Sequence, residues 1–229
     1  EIRFGNRPVF TVNGKAIIGV PISQEPGEAA IDFRIENLSK REIFRIKKKN
    51  YTEQRITLAD TKMVSPPTKE LDRIRKESAA QKAVYASFTP QIDLSPGFIM
   101  PLEGRKTSLY GHRRFFNDVP RSPHSGLDIA APTGTPIVAP GPGRVALRGD
   151  FYFNGKTILL DHGQGLITMY CHMSEYMVEE GEFIDQGQML GLVGSTGRST
   201  GPHLHWSVSL NNFRIDPLEF LPAVNQALK

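Results

Sequence analysis

Two short runs constrain the fold of this chain more than anything else in it: His124-Ser125-Gly126-Leu127-Asp128 and His203-Leu204-His205. Pro123 and Gly126 disfavour a helix through the first run, which leads into Pro132. In an extended chain, side chains alternate with a period of two. His124, Gly126 and Asp128 then share one face, with no side chain between the two polar groups. Leu127 and Ile129 turn away. By the same rule His203 and His205 share a face, opposed by Leu204. The reading is a fold in which two distant strands converge and gather three imidazoles and a carboxylate. That inventory suffices for a catalytic zinc site of three protein ligands and one open position.

A third run, Leu166 to Met173, alternates as well. Ile167, Met169, Cys171 and Met173 fall on one face, expected to be a core face. Thr168, Tyr170 and His172 fall on the other, where a phenol and an imidazole suit hydrogen bonding to a substrate or proton transfer. Cys171 is the single cysteine, so no intrachain disulfide forms, and its place on a core face predicts a buried, inert thiol. His112 and His162 read as ordinary satisfied polar residues, the latter in the turn Asp161-His162-Gly163-Gln164-Gly165. The glycine-rich run Gly194 to Gly201 lacks a phosphate-binding lysine and precedes a strand, so it reads as a loop lining a groove.

The organisation follows from turn signals. With 17 prolines and 21 glycines, the chain favours β structure over a helical bundle. Residues 1–60 read as a small antiparallel β unit, with alternation from Ile31 to Glu36 and turns at Asn13-Gly14 and Pro26-Gly27. Residues 61–95 read as a linker carrying a helix from about 67 to 86, with Ser65 as its cap and Pro66 at its first position. Residues 96–229 alternate strand-like runs with turn clusters, which suggests a sandwich or partly open barrel.

The net charge of +4 suits an anionic partner. The basic residues are dispersed and no base-stacking motif is present, so nucleic acid is not an expected partner. No apolar run approaches a transmembrane segment. No secretory leader is read either, and the expectation is a mature or trimmed form.

With His124-x-x-x-Asp128, Tyr170-Cys171-His172-Met173 and Gly201-Pro202-His203-Leu204-His205 in that order, the chain resembles the lysostaphin-like (LytM-type) zinc metallopeptidases, bacterial cell-wall endopeptidases. Gly126 to Pro136, Gly181 to Gly187 and Gly194 to Pro202 match as well. The resemblance covers roughly residues 96 to 221. It implies a mostly β fold with a C-terminal two-sheet antiparallel β catalytic domain at 96–229; the small N-terminal accessory β domain and the connector helix rest on the residue patterns above. It implies one Zn2+ per chain on His124, Asp128 and His205, with His172 and His203 as unliganded catalytic histidines. Tyr170 is expected to contact substrate. The implied activity is hydrolysis of peptide cross-links in peptidoglycan by metal-activated water, in the periplasm or secreted to the cell envelope. The alternative is a non-catalytic scaffold that activates another wall hydrolase. For the N-terminal unit three readings stay open: blocking the groove, binding the wall as a spacer, or docking a regulatory partner.

Overall fold

The computed structural model describes residues 2–35 and 38–229. Glu36, the end of one expected alternating run, lies outside the described residues. The mostly β architecture is as expected. Ten strands form one hydrogen-bonded network, with Phe183–Ile184, Gly143–Phe151, Gly155–Asp161, Ile167–Tyr176, His203–Leu210, Leu127–Ala130 and Arg105–Ser108 in spatial order. Pro136–Val138 pairs with Met189–Val193, and Phe213–Ile215 pairs with His203–Leu210. All these pairings are antiparallel.

The two expected layers share one strand, Ile167–Tyr176. Through Cys171 it pairs with His203–Leu210; from Met173 onward it pairs with Met189–Val193. The junction is His172, a non-glycine residue with φ of 64°. Opposite it the register shifts: Ile158 faces Tyr170, but Lys156 faces Met173. One extra residue in one strand is a β-bulge, which bends the strand and re-aims its side chains.

Simple alternation fails at this bulge. Tyr170 lies opposite Trp206, and both are fully buried in the main core with Leu127, Ile129, Leu160 and Leu204. Cys171 lies opposite His205, and His205 lies opposite Asp128, so these three share the other face. The bulge brings His172 round to that same face and returns Met173 to the main core beside Tyr170. The expected grouping of Met173 with Ile167, Met169 and Cys171 is therefore corrected. Those three pack instead under Tyr85 of the helix Leu71–Ala86, whose hydroxyl lies 3.0 Å from the Met169 sulfur. As expected, Cys171 is a buried thiol, and desolvation pushes its pKa up to about 12.

That helix starts later than expected, at Leu71 after a 3-10 turn at Thr68–Glu70. Pro67 is extended, with ψ of 149°. A proline forces the residue before it away from helical geometry, so Pro66-Pro67 delays the start and Ser65 does not cap it.

Residues before position 60 form a sheet and also make two sets of contacts with residues after it. Four strands, Arg7–Pro8, Ile2–Phe4, Gly27–Ile35 and Leu38–Ile46, do form a sheet of their own. The hairpin Phe10–Val12/Lys15–Ile17, turned at Asn13 and Gly14 with φ of 48° and 70°, instead places Phe10 and Val12 in the main core. The strand Glu53–Ile56 pairs in parallel with Arg113–Phe116, and its Gln54 accepts a hydrogen bond from Ser108 Oγ at 2.8 Å.

His162 is a satisfied core histidine, as its sequence context implied. Its Nδ1 lies 2.6 Å from the Pro142 carbonyl, and its Nε2 lies 2.7 Å from Thr168 Oγ1, which meets the Tyr170 hydroxyl at 2.8 Å. Desolvation lowers its pKa to about 4. A histidine depressed in the fold binds its proton more readily unfolded. The stability it contributes is therefore full above pH ~6.5 and is lost as pH falls toward 4, by up to roughly 3 kcal/mol. Urea titrations across this window are expected to show a steeper acid loss for the native chain than for His162→Gln; parallel curves would contradict this.

Candidate metal centre

The pairing of Leu127–Ala130 with His203–Leu210 sets Asp128 directly opposite His205 and Ala130 opposite His203. His124 precedes the first strand and is held there by backbone hydrogen bonds, its N–H donating to His112 and its carbonyl accepting from Gly111. A Cβ at position 126 would run into the Trp206 carbonyl and come within 2.9 Å of the His205 ring. The missing side chain noted in the sequence is thus the gap that the His205 imidazole fills.

His124, Asp128 and His205, all buried, bring three donor atoms together. His124 Nε2 lies 2.9 Å from Asp128 Oδ1 and 2.9 Å from His205 Nδ1, which is 2.8 Å from the same carboxylate oxygen. The tautomer of His124 is set elsewhere: its Nδ1 lies 2.8 Å from the Leu109 carbonyl, so Nδ1 carries the proton and Nε2 a bare lone pair. At most one proton, on His205 Nδ1, then lies among three electron-rich atoms. Such an arrangement is stabilised by a cation, and two imidazoles with one carboxylate fit Zn2+. Burial lowers the pKa of His124 and of His205, against the pull of Asp128, and so favours the neutral rings that a metal requires. Burial alone raises the Asp128 carboxyl, but hydrogen bonds and charge from His124 and His205 outweigh it and hold it well below the carboxylate range.

The second carboxylate oxygen is engaged by an arginine that the sequence reading did not single out. Arg114 Nη2 lies 2.5 Å from Asp128 Oδ2 and 3.0 Å from Ser108 Oγ, while its Nε donates to Gln54 Oε1 at 3.0 Å. Asp128 therefore offers one oxygen to the cluster and the other to a guanidinium. The sequence signal was the Arg113-Arg114-Phe115-Phe116 run, but its relation to Asp128 depends on pairing with Glu53–Ile56.

Beside the cluster stand His172 and His203, their ring centroids 4.7 Å apart, with His172 6.3 Å from His205. Each is clamped through Nδ1 by a backbone carbonyl at 2.8 Å, Thr196 for His172 and Gly201 for His203. That clamp leaves Nε2 as the lone-pair nitrogen on both rings. Burial, reinforced by the charges of His203 and His205, depresses His172 to about 3. A groove of about 350 Å³ passes over this pair, lined also by Gln54, Ile56 and Leu58 of the N-terminal part and by Arg198 to Pro202. Of the Gly194 to Gly201 run, Arg198 to Gly201 line the groove. Tyr170 does not: its phenol is in the core on Thr168, and this corrects the expected substrate contact. The cause is the bulge, which turns His172 away from the face that Tyr170 keeps. His112 is half-buried and lies outside the His-Asp-His cluster.

Fold and cluster together define a β scaffold with three donor atoms, fit for one metal ion, at the floor of an open groove. Residues 122–217 match the profile of Peptidase family M23. A solved structure from Pseudomonas aeruginosa assigned to peptidase M23 is 38% identical, with a TM-score of 0.77 over 97% of this chain and 87% of that one. The chain belongs to peptidase family M23. Among curated proteins, it is 38% identical over 109 residues to the DD-carboxypeptidase/endopeptidase Mpg of Neisseria meningitidis, matching 46% of this chain and 25% of that protein. It is 40% identical over 87 residues to the peptidoglycan DD-endopeptidase ShyA of Vibrio cholerae, matching 38% of this chain and 20% of that protein. The chain thus spans a quarter or less of the length of these curated relatives. No helix among the described residues is long and apolar enough to cross a membrane.

Proposed function

We propose that this chain is a zinc-dependent endopeptidase that hydrolyses peptide cross-links of bacterial peptidoglycan. The observation that carries this reading is the pairing of two sites: a three-donor metal cluster and, beside it, a second pair of imidazoles presenting free Nε2 atoms. The names of the matched relatives supply the substrate class. His124, Asp128 and His205 hold one zinc per chain. Zinc bound there supplies Lewis acidity, which polarises a peptide carbonyl and makes water acidic enough to attack. His172 and His203 do the proton work. One Nε2 accepts the proton of the attacking water, and the other, once protonated, hydrogen-bonds the developing oxyanion or returns a proton to the leaving amine. Their carbonyl clamps keep each ring oriented throughout. Residues 54–58 wall the groove, so the N-terminal part shapes access to the site. The activity is placed in the cell envelope, where that substrate lies.

The test is a digest of purified cross-linked muropeptides with the zinc-loaded chain, products identified by mass. Monomers formed from dimers, with uptake of one water, are expected. Unchanged dimers beside an active control enzyme would sink the reading.

A further inference from the structure

A second cavity, of about 310 Å³, flanks the cluster on the side of His124 and His205. It contains Arg114, Arg121 and Arg198 and no acidic side chain in its lining. Arg114 is spent on Asp128. The other two are not: among the described residues no carboxylate pairs with Arg121 or Arg198. The planar guanidinium of Arg198 is sandwiched between Phe116 and Phe153, 4.5 and 4.4 Å from the ring centroids. Its faces are covered and its edge is left to make hydrogen bonds, of which the Met63 carbonyl takes one at 3.3 Å. Arg121 is tied by Nη2 to the Val64 carbonyl, and its buried Nε has no hydrogen-bond partner. Backbone carbonyls fix the two heads in place but do not neutralise them. Burial and repulsion by Arg114 and Arg121 depress Arg198 to about 10, the sign of a cation short of an anion. A planar guanidinium edge in a rigid sandwich is matched to a carboxylate, which it can bind with two parallel hydrogen bonds.

We propose that Arg198 and Arg121 form a carboxylate subsite beside the metal cluster, taking the free carboxylate of the residue on the amine side of the scissile bond. This rests on the peptidase reading and adds the recognition element to it. The chemistry fixes the side. In a peptide bond between two amino-acid centres, the acyl residue has used its carboxyl in the bond. The amine-side residue keeps its own whenever it is chain-terminal, or whenever it is acylated through an amine next to a carboxylate. Both exopeptidase and endopeptidase substrates of the DD class offer that group, and a carboxamide at the same place does not. The connector residues Thr61–Met63 and Val64, which supply the two anchoring carbonyls, thereby take part in substrate selection.

The experiment compares a peptide ending in D-alanyl-D-alanine with its C-terminal carboxamide, both on the zinc-loaded chain. Binding is read by calorimetry and cleavage by kcat/KM. The acid is expected to bind at least about tenfold tighter, and the difference in kcat/KM to reside in KM. In Arg198→Gln and in Arg121→Gln the acid-to-amide ratio collapses toward one. Arg198→Lys keeps the charge without the planar fork and recovers part of the ratio, which separates recognition from loss of the phenylalanine sandwich. Equal binding of the two peptides by the native chain, no binding of the acid, or a ratio preserved in both Gln variants overturns the subsite. Preferential binding without cleavage leaves the subsite standing, and the peptidase reading is then decided by the cross-linked muropeptide digest. Cleavage without preference overturns the subsite and leaves the peptidase reading standing.

Discussion

Asp128→Asn and His205→Ala are each expected to leave the purified chain without stoichiometric zinc and to lower muropeptide hydrolysis on the order of 10³-fold. The loss comes from the cluster geometry. Asp128 Oδ1 touches both imidazoles, at 2.8 and 2.9 Å, so it is the shared corner of the triangle. The amide of the Asp128→Asn variant would keep the shape and offer a neutral oxygen in place of the anion, at a buried site where only the carboxylate offsets the metal charge. It also leaves the Arg114 guanidinium, whose side chain is 16% exposed, without its counter-ion. Metal analysis of dialysed protein, read with the rate, checks both halves. A variant that keeps one zinc per chain and full activity would remove these residues from the ligand set.

His172→Ala and His203→Ala have the opposite signature. Each is expected to retain zinc while losing roughly 10²–10⁴-fold in kcat, the range of a positioned acid or base. Neither ring is a member of the His-Asp-His cluster, and each is held by its own carbonyl, so removing one leaves the three donor atoms in place. The double variant falls little below the weaker single variant, because groups that act in one proton path are not additive. Loss of zinc with either ring would merge the two sites that the geometry separates.

Much of the site was legible because strand periodicity is simple wherever the chain is regular. His124, Gly126 and Asp128 on one face and His203 with His205 on another required only the period of two, and the register Asp128 to His205 realises it. Legibility ended at His172. Its left-handed backbone is a non-local outcome, set where one strand passes from pairing with His203–Leu210 to pairing with Met189–Val193. Alternation carried across that residue put Tyr170 beside His172, whereas the fold puts Cys171 there. Arg114, Arg121 and Arg198 were invisible for a related reason. Their roles depend on contacts with residues 54 to 64, and pairing of Glu53–Ile56 with Arg113–Phe116 is parallel and long-range. The shift near residue 60 is one of composition and pattern, and it does not show that Phe10 and Val12, from before it, join the main core.

The chemistry proposed for this chain depends on where the metal sits. Diffraction at the zinc absorption edge from crystals of the chain grown with zinc tests this most directly. One anomalous peak is expected, about 2.0–2.2 Å from His124 Nε2, His205 Nδ1 and Asp128 Oδ1, with His172 and His203 outside bonding distance. A peak held by His172 or His203, or no peak at the cluster, would contradict it.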